Sequence, residues 1–197
     1  LGVSMAGYFE DRFATSVHDE LYAKALVFES GGVRAAIVSC DVICIQDDTV
    51  ASIRAQVESR TGIAGDNVMV AATHTHTGPR TRMARLHAGD DVTSAWLDGF
   101  PSLVADAVAI AADDVEPCQA SVGIAQEDRI AFNRRFHMAD GSVRTNPGSR
   151  NADIVRPAGP IDPKVTAVAF KTARGGNKAL LVNYACHLDN VGGTRLS

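Results

Sequence analysis

Two histidines spaced i, i+2 close the stretch VMVAATHTHTGP, residues 68 to 79, and are the clearest candidates for chemistry in this chain. Val68 to Ala72 is an apolar run of strand length, and the two-residue period of a strand would set His74 and His76 on one face. Gly78 and Pro79 then end the run. That places two imidazoles at the carboxyl end of a buried strand, where open α/β sheets carry ligands and catalytic groups. A second apolar run, ALLVNYACH, ends on His187 and continues as LDNVGGT. Imidazoles from two strands, supported by a carboxylate from Asp41 or Asp189, form a donor set of the kind zinc takes. The simpler reading is a hydrogen-bonded boundary residue at each strand end. The metal reading requires the two strands to be neighbours.

Two further groups carry alternatives. Asp41 interrupts the apolar run AAIVSCDVICI. A carboxylate there must be hydrogen-bonded or close to a cation. It reads either as a structural residue at a bend or as a metal ligand or partner to a histidine. Arg134 and Arg135 are adjacent, so on a strand they point to opposite faces and at most one readily reaches a given pocket. They are surface charges, or one supplies a guanidinium that holds a carboxylate or polarises a carbonyl.

The elements that must position these groups follow from periodicity. Residues 21 to 29 and 33 to 45 are strand-like, and Gly31-Gly32 between them signals a hairpin. Gln46, Asp47 and Asp48 start a helix in which Val50, Ile53 and Val57 recur until Gly62. Strand, helix and strand over 33 to 73 make a βαβ unit, hence a partly parallel sheet covered by helices. The polar, arginine-rich residues 80 to 91 read as a covering loop in which His87 is solvated. A helix is expected over roughly 93 to 113, with Pro101 kinking it or marking a restart near Asp98. Cys118 to Ile124 alternates like a strand, and Ala139 to Ser142 is a turn between two short extended pieces. Residues 151 to 163, with three prolines and a glycine, read as a linker or cover loop. Lys164 to Lys171 and Lys178 to His187 form a terminal β-hairpin across ARGGN. The leading segment LGVSMAGYFEDR has no clear period and reads as a loop lying over something else.

Composition narrows the field. The chain has 197 residues, 46% hydrophobic and 21% charged, which is enough for one sizeable α/β core. A net charge of -4 without any lysine or arginine run gives no footprint for nucleic acid. No uninterrupted apolar segment reaches membrane-spanning length, and the first residues lack the pattern of a signal peptide. The chain starts at Leu1 rather than methionine, so compartment stays open. Cys40, Cys44, Cys118 and Cys186 form no C-x-x-C pair and read as core thiols.

The motifs together resemble those of the neutral, non-lysosomal ceramidase family. THTHTGP, preceded by an apolar strand and the upstream Ser39 to Asp41, is similar to the family signature THTHSGP. Asn133-Arg134 resembles its Asn-Arg motif, GPIDPKVTAVA the segment before its paired strands, and NYACHLDNVGG the strand ending in its second histidine ligand. The resemblance runs from about Gly7 to the final residues. It implies a zinc amidase that cleaves the N-acyl bond of ceramide to fatty acid and sphingosine. By position, His74 and His187 would bind Zn2+, His76 would stand beside the metal without ligating it, and Arg134 would contact substrate or intermediate. Zinc would activate water and polarise the amide carbonyl, with His76 stabilising charge or relaying a proton.

The family's catalytic domain is longer, and its remaining glutamate and tyrosine ligands and its serine fall beyond Ser197. The chain is therefore expected to be one α/β domain over residues 1 to 197 that forms the amino-terminal portion of a longer catalytic domain. Otherwise Asp41, Asp189 or a partner chain completes the shell. The expected partner is a small-molecule or lipid amide, and an uncovered sheet face would favour a homo-oligomer. The alternatives are a metal-dependent hydrolase of another small amide or ester, and a non-catalytic interaction domain on the same scaffold. Family analogy implies a secreted or periplasmic location, with the cytoplasm still open.

Overall fold

The computed structural model describes residues 1–82, 90–187 and 189–197. His87 and most of the arginine-rich loop lie outside the described residues. The chain forms two compact units, Leu1–Glu116 with Leu188–Ser197, and Pro117–His187. In chain order the first unit holds β1 (Ser16–Val17), β2 (Ala23–Ser30), β3 (Val33–Cys40), α1 (Asp47–Thr61), β4 (Val68–Ala72) and α2 (Asp91–Asp113). The second holds β5 (Cys118–Gln126), β6 (Arg135–Met138), β7 (Val143–Thr145), β8 (Ile154–Pro157), β9 (Lys164–Thr172) and β10 (Asn177–Tyr184). The chain then returns to the first unit for β11 (Arg195–Leu196).

In the first unit β2, β3 and β4 lie side by side in that order. Gly31 and Gly32 turn between β2 and β3 with φ of 59° and 79°, the positive values a two-residue hairpin needs. β4 runs parallel to β3, with Ala36 opposite Val68 and Cys40 opposite Ala72, and α1 provides the crossover. The expected βαβ unit is therefore present. Gly62 ends α1 in the left-handed conformation, its N–H donating to the Glu58 carbonyl at 2.9 Å.

Alternation along β3 sends Ala36, Val38 and Cys40 into a core shared with Val68, with Ile53 and Val57 of α1, and with Phe100, Val104, Ala105 and Val108 of α2. That stripe accounts for one face of α2, while Val92, Leu103 and Ile110 are exposed on it. The helix is long and apolar enough to cross a membrane by length and composition, yet its buried residues are the wall of a globular core. It runs as one element through Pro101, capped by Asp90, whose carboxylate accepts the Thr93 N–H at 3.2 Å. Of the two outcomes expected at Pro101, a kink or a restart near Asp98, the restart does not occur. Losing a helical hydrogen bond at proline costs about 3 kcal/mol. Burial of Phe100, Val104 and Val108 at about 1.5–3 kcal/mol each outweighs it.

In the second unit β10, β9 and β5 form an antiparallel sheet in that order, with β9 and β10 the expected hairpin. β7, β6 and β8 form another. β8 corrects the reading of residues 151 to 163 as irregular: Ile154 to Pro157 pairs with β6, and Pro157 is tolerated because β8 is an edge strand. β10 stops at Tyr184, so His187 lies three residues past the strand rather than at its end. The mixed, partly parallel α/β architecture stands as expected.

The cysteines divide by position. All four are free, but only Cys40 is buried; Cys44 and Cys186 are half-buried and Cys118, at the first residue of β5, is exposed. Burial first, and the Asp41 carboxylate second, push the Cys40 thiol up to about 12. In mildly alkaline buffer an alkylating reagent should modify Cys118 in the folded protein and Cys40 only on unfolding, because the thiolate is the reacting form. Peptide mass mapping along a urea series checks this, and equal labelling of both thiols without urea would contradict the packing described.

Candidate functional site

β4 hands the chain to the histidine loop at Thr73, and the loop goes on following the segment beside it. The Thr73 N–H donates to the Cys40 carbonyl and the His74 N–H to the Val42 carbonyl, each at 3.0 Å. His74 then adopts φ 64°. A left-handed conformation in a residue with a Cβ costs on the order of 1–3 kcal/mol and persists only where the surroundings enforce it. The two histidines are thus not adjacent same-face residues of a strand. A strained turn brings them together instead, with ring centroids 5.0 Å apart at 83°, edge to face.

The His74 ring is oriented from behind. Its Nδ1 lies 2.7 Å from the Ile43 carbonyl oxygen. A carbonyl only accepts, so Nδ1 carries the proton and, in the neutral ring, the lone pair sits on Nε2. This is how a metal-binding imidazole is commonly fixed.

His76 is held by the amino-terminal segment and the returning chain. Its side chain is 12% exposed, and its Nδ1 is 3.7 Å from Asp189 Oδ2. The Tyr8 ring meets the His76 ring edge-on at 5.9 Å, and the Tyr8 hydroxyl donates to Asp189 Oδ1 at 3.0 Å. That bond, then burial, holds the Tyr8 phenol above its usual range. Gly7 approaches so closely that a Cβ there would lie 2.6 Å from His76 Cα and Cβ, and its φ of 105° already favours glycine.

The segment is fixed in turn by antiparallel bridging between Met5 and Pro79, by the Ala6 N–H donating to the Gly78 carbonyl, and by the Arg80 N–H donating to the Ser4 carbonyl. The alternating threonines serve the same loop. Thr75 and Thr77 hydroxyls each donate to the Ser197 backbone oxygen at 2.8 Å, next to the β1–β11 pair.

A cavity of about 420 Å³ opens beside this loop within the first unit, lined by Asp19, Glu20, Lys24, Asp41, His76 and Asp189 among others. Asp41 accepts the Tyr22 N–H through Oδ2 at 3.0 Å while its own N–H donates to the Tyr22 carbonyl at 2.9 Å. Of its two readings, the structural bend is the one its contacts express, and it ends β3 five residues before the expected limit at Ile45. Arg134 belongs to the second unit, exposed, immediately before β6, with its carbonyl accepting the Asn146 N–H. The neighbouring Asn133 holds the turn by accepting the Arg135 N–H at 3.0 Å. His187 is the last residue of the second unit.

Sequence reasoning missed Gly7, Tyr8 and Arg12. They lie in a segment without periodicity, and its only signal was a glycine next to an aromatic. The threonine alternation was a usable sign that THTHTGP is held from both sides.

A parallel strand that releases paired imidazoles next to a cavity is the arrangement of an α/β protein with ligand chemistry at its strand ends. The chain belongs to the neutral/alkaline non-lysosomal ceramidase family, whose amino-terminal model matches residues 1–195. No curated protein matches it. Among solved structures, the neutral ceramidase from Pseudomonas aeruginosa is similar in fold, with a TM-score of 0.72 at 21% identity, over 100% of this chain and 31% of that one. A ceramidase complexed with C2 gives 0.66 at 22% identity, over 92% and 28%. This chain therefore spans about a third of the length of these solved relatives.

Replacing Gly7 by alanine should destabilise the protein by about 1–3 kcal/mol, since the new methyl must displace His76 or the backbone. Urea unfolding measures it. A change below a few tenths of a kcal/mol would mean that the close approach of Gly7 to His76 does not constrain the loop.

Proposed function

We propose that this chain carries the histidine half of a metal-dependent hydrolase acting on N-acyl amide bonds, ceramidase-like, with zinc as the metal. The observation that carries the proposal is the fixed tautomer of His74, donated at Nδ1 to the Ile43 carbonyl in a strained turn beside His76. A protein gains little from holding an exposed imidazole at φ 64° unless its Nε2 is used. His74 and His187 are the proposed ligands, in line with the resemblance of THTHTGP and NYACHLDNVGG to the family's histidine motifs.

Zinc bound by such donors would supply Lewis acidity toward the amide carbonyl and a lowered pKa for water. His76, backed by Asp189 Oδ2, is suited to hold or pass a proton at its other nitrogen while the acyl group is transferred to water. Tyr8 keeps Asp189 turned toward His76 by occupying its second oxygen. Arg134 is proposed as a substrate contact, in line with the family's Asn-Arg motif.

A second reading concerns substrate. The cavity beside His76 encloses about 420 Å³, which suits a smaller amide or ester better than the two long chains of ceramide.

Elemental analysis on the 197-residue chain and the longest natural chain containing it should find about one zinc in the longer form. His74→Ala or His187→Ala should remove it. His76→Ala should keep the metal and lower kcat on an N-acyl amide by about 100-fold or more. Absence of metal from both forms in buffers free of chelator would overturn the proposal. Faster turnover of short acyl amides than of ceramide would favour the second reading.

A further inference from the structure

The amino-terminal segment contains a buried cation that bonds the His76 carbonyl and stacks on the ring that meets His76. Arg12 is 8% exposed. Its Nη1 donates to the Gly193 carbonyl at 2.5 Å, and its Nη2 donates to the Ala6 carbonyl at 2.6 Å and to the His76 carbonyl at 2.8 Å. Its guanidinium carbon stands 4.0 Å over the centroid of the Tyr8 ring. Three stretches of chain that are remote in sequence, at 6, 76 and 193, are thus tied to one planar group.

We propose that Arg12 is a positioning residue for His76, acting along two routes, a reading that rests on the function assigned to His76 above. The first route is the main chain: the guanidinium fixes the His76 carbonyl, and with it the direction in which the imidazole leaves the backbone. The second is the side chains: the guanidinium holds the Tyr8 ring, Tyr8 meets the His76 ring and bonds Asp189, and Asp189 lies against His76 Nδ1. Lysine cannot take over this work. Its ammonium is a compact charge on a flexible stem, whereas the rigid fork of arginine meets several carbonyls in one plane and stacks on an aromatic face. Arg12 touches no reacting atom in this scheme. Its effect is on where His76 sits.

Arg12→Lys and Arg12→Ala in the full chain test this, with the His76 ring ¹H–¹⁵N signals assigned by loss in His76→Gln. Both variants should shift those signals. Where the wild type hydrolyses an N-acyl amide, kcat should fall about 100-fold with KM changed less than twofold, as expected for about 1 Å of misplacement. Dilute guanidinium chloride should restore part of the kcat of Arg12→Ala and none of that of His76→Gln. If Arg12→Ala does not fold, Tyr8→Phe takes its place, since it keeps the ring under Arg12 but removes the bond to Asp189. Folded variants with wild-type His76 signals and wild-type kcat would overturn the proposal. A wild type with neither metal nor turnover would instead overturn the hydrolase reading, and the ring signals would still decide whether Arg12 positions His76.

Discussion

A buried guanidinium must find acceptors, because an unpaired charge in a protein interior is far more costly than an unpaired polar group. In this chain Arg12 finds them in the carbonyls of Ala6, His76 and Gly193. Hydrogen bonds to a charged group contribute about 1.5–3 kcal/mol each. That makes the contact one of the stronger fastenings in the first unit, and it lies where no strand or helix supplies the backbone with partners. It ties together the leading segment, the histidine loop and the returning carboxyl-terminal stretch, beside the Met5–Pro79 bridge and the bonds of Thr75 and Thr77 to Ser197.

The histidine loop is built by opposing demands. β4 must pair with β3 through Ala72 to complete the parallel ladder that buries Val68 against α1 and α2. The chain must then turn sharply enough to bring His74 and His76 to the same point. The left-handed residue at His74 satisfies both, and its strain is offset by the bonds from His74 N–H to Val42 and from Nδ1 to Ile43. Gly7 completes the fit because His76 passes too close for a side chain, and Gly78 is tightly fitted in turn. A Cβ at Gly78 would meet the Asp41 carbonyl oxygen at 3.2 Å. Packing and chemistry therefore meet in one short loop.

Much of this was legible from the residues. The β2–β3 hairpin, the parallel βαβ crossover and the β9–β10 pair follow from period and turn residues, because each buries an apolar face that its own sequence displays. The family likewise follows from THTHTGP and its companion motifs. What sequence could not display was interaction without period. Pro101 reads as a helix breaker until the packing of Phe100 and Val104 is known, and β8 reads as a loop until β6 is there to pair with it. Arg12 follows Glu10 and Asp11 in a stretch without period, and only the fold supplies its three carbonyls. The i, i+2 spacing of His74 and His76 suggested convergence for the wrong reason, a strand face, where a left-handed turn achieves it.

The central proposal is that His74, its imidazole oriented in advance by the Ile43 carbonyl, binds a metal together with His187. X-ray absorption at the zinc edge, on the longest natural chain containing these residues and loaded with one equivalent, tests it directly. The account predicts nitrogen scatterers at about 2.0–2.1 Å, with the outer-shell pattern of two imidazole rings that drops to one in His74→Ala. A shell of oxygens alone, or sulfur at about 2.3 Å from the free cysteines, would contradict it.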